Sequence, residues 1–241
     1  GVPMDYNYNG YDRGYTEPAM TSADYMNRTY RWMAVGLLIT FAAAFVTAAT
    51  PLLYVVNSLY LVFTIAELVL VYVLSSRVQT MSVGAARAAF FGYALLNGMV
   101  LSYYFLVFSA STLIMALLAT SLYFGLMAVY GTTTHKDLTG WGPKLMGGLV
   151  ALIVCGLVGG LFSLFGFGFG IMDLVLCAVG LLIFMGLTAY DTQMLKYYYS
   201  YFGGDAAMLH KSSIIGALNL YLDFINIFLY ILRMLGRRSN D

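Results

Sequence analysis

Seven stretches of the chain, at residues 32–49, 58–75, 86–108, 112–130, 145–164, 171–192 and 213–235, carry at most two charged side chains each. Each has about the length, roughly 20 apolar residues, that an α-helix needs to cross the hydrocarbon of a bilayer. The runs are continuous, whereas the strands of a membrane barrel alternate apolar and polar positions over about ten residues, so a β-barrel is excluded. The pattern therefore predicts an all-α integral membrane protein with seven transmembrane helices. Ahead of the first run, residues 4–27 are rich in Tyr, Gly, Asp and Asn and poor in aliphatics, a composition that cannot bury enough apolar area to offset the entropy of ordering. Residues 1–29 are thus expected to be a mobile polar tail, residues 30–236 the transmembrane domain and residues 237–241 a short C-terminal tail. Gly1, Val2 and Pro3, ahead of Met4, read as a remnant of expression. The Tyr6, Tyr8, Tyr11 and Tyr15 series in the tail is an interaction motif or, more simply, part of a tail without a function. The first apolar run has no small-residue cleavage site before it and reads as a true span.

The seventh run differs from the others. Its middle holds Asn219, Asp223 and Asn226, spaced i, i+4 and i+7, so that on a helix they form one stripe, which Tyr230 extends by another turn. A carboxylate near the centre of a bilayer costs about 2.5–3.5 kcal/mol even on the lenient insertion scale, so it faces protein or water and not lipid. Other helices are expected to enclose this one.

Composition supports the membrane reading and removes several function classes. Hydrophobic residues make up 61% and charged residues 10% of 241, too apolar for a soluble domain of this size. The net charge is +1, and Lys and Arg occur singly between apolar runs, so there is no basic patch of the kind that binds nucleic acid. Cys155 and Cys177 fall inside apolar segments and read as small hydrophobic residues. His135 and His210 lack partners at zinc-ligand spacing, and no GxSxG, HExxH or Walker element occurs. Nothing points to an enzyme or to a resident cofactor.

Basic residues also set the orientation. Arg13, Arg28 and Arg31 precede the first run, Arg77 and Arg87 flank the second connection, Lys136 and Lys144 the fourth, and Lys196 and Lys211 the sixth, while the first, third and fifth connections have none. The positive-inside rule then places the N-terminus in the cytoplasm. Arg237 and Arg238 disagree, since seven crossings carry them outside; either the polar seventh segment re-enters or the short tail violates the rule, and its length favours crossing.

Three further polar features stand within the runs. The sixth ends in TAYDTQMLK, with Asp191 and Gln193 near the cytoplasmic end. If that helix continues through Lys196, Asp191 is buried and can meet Asp223 between adjacent helices; alone, Asp191 also fits an ordinary interfacial carboxylate, and Asp223 also fits a packing role satisfied by its Asn and Tyr neighbours. Glu67 sits in the middle of the second run, facing the bundle, with Arg77 closing the same helix as an interfacial side chain or as a reach toward a carboxylate. In the third run Tyr93, Asn97 and Tyr104 form a stripe that either lines a polar cavity or bonds one helix to another. Gly156 and Gly160 make a small-residue packing face, Gly166, Gly168 and Gly170 an outer turn, Asp173 a helix cap, and residues 199–211 a flexible loop.

The segments TAYDTQ and LYLDFINIFLYILRMLG, at residues 188–193 and 220–236, resemble the signature of the transmembrane Bax inhibitor motif family, also called the Bax inhibitor-1 family, in its bacterial branch. The similarity runs over every span from YRWMAVGLL at Tyr30. The resemblance implies seven helices with the seventh at the centre of the other six, in the inner membrane, and a calcium leak gated by a pH-responsive aspartate pair that matches Asp191 and Asp223. Glu67 matches an acidic position of the second helix, and Arg77 stands near the place of an Arg that contacts the pair in relatives.

Together these readings give a pH-sensitive calcium leak channel in which calcium is a weakly held permeant ion. Hard cations seek carboxylate and carbonyl oxygen; Asp191 and Asp223 supply the first, with the Asn219 and Asn226 carbonyls on the same stripe and Glu67, Arg77 and Asn97 in support. The alternatives are a proton-coupled transporter and a non-conducting regulator of a membrane partner, such as a membrane-bound protease or a death-pathway protein.

Overall fold

A computed structural model describes residues 20–78, 80–164 and 170–238. The Tyr-rich segment and the turn at Gly166 and Gly168 lie outside the described residues. The described chain forms α-helices and one short 3-10 turn, with no strand: α1 (Ser22–Ala49), α2 (Leu52–Ser58), α3 (Tyr60–Arg77), α4 (Val83–Leu101), α5 (Tyr104–Val107), α6 (Ala110–Thr133), α7 (Gly142–Leu164), α8 (Gly170–Phe202) and α9 (Ala206–Arg238). Seven helical segments are long and apolar enough to cross a membrane. The seven expected spans are all present, and α4 and α5 together make the third.

The helices run past the apolar windows, because polar residues cap them beyond the hydrocarbon. Thr21 accepts from the Asp24 amide at 3.1 Å and donates to its carboxylate at 2.7 Å, so α1 starts eight residues before the domain edge at residue 30 expected from composition. Asp205 accepts from the Met208 amide at 3.0 Å, starting α9 at Ala206. The expected loop at 199–211 is therefore a turn of residues 203–205 between two helices of 33 residues each. At 1.5 Å per residue such a helix is about 50 Å long, longer than the hydrocarbon it crosses. Ser82 and Ser109 cap α4 and α6 in the same way.

Packing ranks the helices. Of the spanning window of α9, 67% is buried, against 6% for α3 and 11% for the segment containing α7. Helix α9 packs extensively on α8, α6, α1 and α4, while α3 packs mainly on α4, and α7 on α8. The expected ring of six thus reduces to four principal neighbours, with α3 and α7 at the periphery. Two close approaches require glycine: Gly98 of α4 lies against the Thr40 carbonyl of α1, and Gly131 of α6 against the Ala189 carbonyl of α8, leaving no room for a methyl group at either point. Gly156, expected in a packing face, has open space around it.

Helix α9 is unbroken, and its far end meets other helices at the end of the bundle opposite to its start: Tyr230 packs on Gly180 near the beginning of α8, and Gly236 on Phe108. The seventh segment therefore traverses the bundle and does not fold back.

Candidate functional site

The turn at 203–205 makes α8 and α9 an antiparallel pair with the most extensive interface in the molecule. Because α8 continues through Lys196 to Phe202, the condition for joining the two aspartates is met: the carboxyl groups of Asp191 and Asp223 lie close enough to interact. Asp223 is only 3% exposed, and its Oδ2 is sealed from solvent with no hydrogen-bond donor. Asp191 is partly buried. The Thr188 hydroxyl reaches Asp223 and also lies 2.8 Å from the Phe184 carbonyl, so its one proton can serve either acceptor. Leu187, Leu195, Leu220, Phe224 and Ile227 are buried along these two helices, with Phe124 of α6 set edge-on to Phe224 at 5.5 Å.

Among the described residues the single ion pair is Arg233 with Asp173, at the other end of the interface. Among the described residues no cation pairs with Asp191 or Asp223. Two carboxylates this close in an apolar setting, with no paired cation among the described residues, repel each other when both are ionised. No cluster of three or more His, Cys, Asp or Glu suited to holding a metal occurs among the described residues. The pair can therefore exchange protons and offer oxygen to a passing cation, but it supplies few of the six to eight oxygens that Ca²⁺ prefers.

Toward the end of α8, Tyr198 is near enough to Asp191 to interact electrostatically. It also lines a cavity of about 430 Å³ with Ser75, Val78, Tyr201, Lys211 and Ser212. This cavity is formed where α3 and α8 end and α9 begins, and neither aspartate lines it.

The other sequence-derived residues distribute differently. Asn219 and Asn226 are only partly buried, like Leu222 and Leu229 on that edge of α9, and the Asn226 amide donates to its own helix at Leu222 O, 2.8 Å away. The polar stripe thus resolves into one buried carboxyl group flanked by two half-exposed amides. Glu67 and Asn97 do come together, the Asn97 amide donating to Glu67, with the Tyr93 hydroxyl 3.4 Å from the same amide nitrogen. This cluster joins α3 to α4 and is separate from the aspartate pair. Arg77 is exposed at the end of α3 and has no part in an ion pair with either aspartate.

Several residues escaped sequence reasoning. Tyr221, on the face of α9 opposite Asp223, meets the Thr40 hydroxyl at 2.6 Å, and Thr40 contacts Ala94 O at 2.8 Å, so one buried group ties α9, α1 and α4 together. Gln193 accepts from the Leu138 amide and donates to Lys136 O, both at 2.8 Å, pinning the α6–α7 connection to α8. Asp173, expected as a cap, lies in the first turn of α8 and also pairs with Arg233. The available signal was the 3.6-residue register: 173 and 191 differ by 18, five full turns, and so share one face of α8.

Seven membrane-length helices, with two carboxyl groups brought together between α8 and α9, define a polytopic membrane protein. The family model described as inhibitor of apoptosis-promoting Bax1 matches residues 22–240, and the chain belongs to the Bax inhibitor-1 family. It is 38% identical over 227 residues to inner membrane protein YbhL of Escherichia coli K12, covering 92% of this chain and 95% of that one. It is 42% identical over 216 residues to an uncharacterised protein of Deinococcus radiodurans, covering 89% and 91%. With an uncharacterised protein of Borreliella burgdorferi it shares 33% identity over 221 residues, covering 90% and 93%. Kinship with YbhL and the seven apolar helices make this a multi-pass inner membrane protein.

Proposed function

We propose that the chain is a pH-sensitive calcium leak channel, that Asp191 and Asp223 form its ion-binding and gating pair, and that its N-terminus is cytoplasmic. The supporting observation is the proximity of two carboxyl groups within the α8–α9 interface, with no paired cation among the described residues. Such a pair exchanges a proton for a divalent cation, so calcium binding strengthens as pH rises through the titration of the pair. The few oxygens at the site make binding weak and suit passage better than storage. The reading requires no covalent chemistry and no resident cofactor.

Calcium flux into proteoliposomes, wild type against Asp223→Asn and Asp191→Asn, tests it. The expected result is measurable wild-type flux that both variants change; absence of flux in well-folded wild-type protein refutes the channel. Acidic groups also serve proton-coupled transporters, and stoichiometric proton counterflow during calcium uptake would select that mechanism. Activity intact after neutralisation of both aspartates would instead select a regulator acting on a membrane partner.

A further inference from the structure

At the end of the bundle where α1 and α4 begin, cationic and N–H donor groups converge without a paired acceptor among the described residues. Arg28, Arg31, Trp32 and Val35 follow one another at helical spacing on α1 and together line a cavity of about 300 Å³. Arg87, in the second turn of α4, lies over the Trp32 ring at 5.1 Å from its centroid, and Phe91 packs against the same ring at 5.5 Å. Arg28 is near enough to both Arg31 and Arg87 to be repelled by them, and His210, at the start of α9, is near Arg28 and Arg87.

Three guanidinium groups therefore crowd one corner with no paired carboxylate among the described residues, whose single ion pair is elsewhere. Asp24, one turn before Arg28, is engaged by the Thr21 hydroxyl. Two N–H groups within this corner, Arg87 Nε and Trp32 Nε1, are buried without any acceptor, as is His210 Nδ1. Like charges held together around unsatisfied donors favour an anion rich in acceptor oxygens, and the guanidinium fork matches phosphate in particular. The cavity also adjoins apolar surface: Val35 in its wall is 40% exposed, and Leu38, one turn further along α1, is 70% exposed. A ligand seated there has its anionic part among arginines and its apolar part along the lipid-facing side of α1.

We propose that Arg28, Arg31, Arg87 and the Trp32 indole N–H form a binding site for the phosphate of an anionic phospholipid headgroup. The site is distinct from the aspartate pair and does not depend on calcium conduction. Free phosphate shares the headgroup chemistry but lacks the acyl chains that the apolar side of α1 would contact.

Trp32 supplies its own reporter, since the chain has only two tryptophans and the other, Trp141, is exposed. The full chain carrying Trp141→Phe, in a neutral detergent, is titrated with short-chain phosphatidylglycerol, short-chain phosphatidylcholine or inorganic phosphate while Trp32 emission is followed. The expected result is a saturable change with phosphatidylglycerol, at least tenfold weaker with phosphatidylcholine and with inorganic phosphate. Arg28→Gln with Arg87→Gln should weaken it at least tenfold, and Arg31→Gln, at an exposed position that leaves folding intact, several-fold. Lys144→Gln, removing an exposed cation outside this cavity, should leave it unchanged. Equal response to the two lipids, inorganic phosphate binding as tightly as the lipid, Arg31→Gln binding like wild type, or a loss in Lys144→Gln equal to that in the arginine variants would each overturn the assignment.

Discussion

Replacing Asp223 by Asn tests whether the two carboxyl groups of the α8–α9 interface act as one titrating unit. Two like charges taken as roughly 4 Å apart repel by about 4 kcal/mol at an effective dielectric constant of about 20, and the proximity of the two groups brings them into that range when both are ionised. A calcium ion entering between them reverses the balance, so near neutral pH its binding should expel about one proton from the wild-type pair. Asp223→Asn keeps the shape but leaves one carboxyl group without a charged neighbour; proton release should fall below the wild-type value, and the pH dependence of calcium binding should change, although burial of the remaining acid persists. Isothermal titration in buffers of differing ionisation enthalpy, from pH 5 to 8, counts the released protons directly. Release unchanged in Asp223→Asn or in Asp191→Asn, or calcium binding independent of pH in the wild type, would show that the two residues are not one site.

Three other substitutions address the surrounding framework. Glu67→Leu removes the acceptor of the buried Asn97 amide, which should cost about 1–3 kcal/mol, lower the melting temperature in detergent and alter flux; adding Asn97→Leu should recover much of the stability, and wild-type flux over a range of calcium and pH would mean that Glu67 is merely tolerated. Tyr221→Phe deletes the hydroxyl contact with Thr40 and should cost about 1 kcal/mol by chemical denaturation, with an unchanged midpoint refuting a structural role. Gly131→Ala puts a methyl group against the Ala189 carbonyl, beside the pair; a loss of about 1–3 kcal/mol and impaired calcium binding are expected, while wild-type behaviour would show that α6 can shift freely there.

The spans were legible because a continuous run of some 20 apolar residues has few other uses, and the aspartate pair because a buried carboxyl group among Leu and Phe demands a partner. Helix ends were less legible: Thr21 and Asp205 cap α1 and α9 outside the hydrocarbon, where apolar pattern carries no signal. Rank within the bundle was only half legible. The polar stripe marked α9 as interior, but the apolar surfaces of α3 and α7 look the same whether they face lipid or protein. Tyr221 was missed because its ring reads as core and its hydroxyl becomes visible only beside Thr40. Asn219 and Asn226 shared a stripe with Asp223, yet the stripe is wide enough to span the buried face and its half-open edge.

The three-residue turn between α8 and α9 also bears on how the protein enters the membrane. Asp191 and Asp223 stand 32 residues apart, 223 less 191, on arms of one hairpin whose closure needs no earlier helix. A single carboxylate delivered alone to the bilayer centre carries the insertion penalty unshared, whereas a hairpin arriving as a unit brings each acid its partner. Helix α9 still needs α1, α4 and α6 to cover the rest of its surface, so the last hairpin completes a bundle already waiting for it. Biogenesis should therefore be more sensitive to lengthening this turn than to lengthening a connection at the periphery, such as the one between α6 and α7.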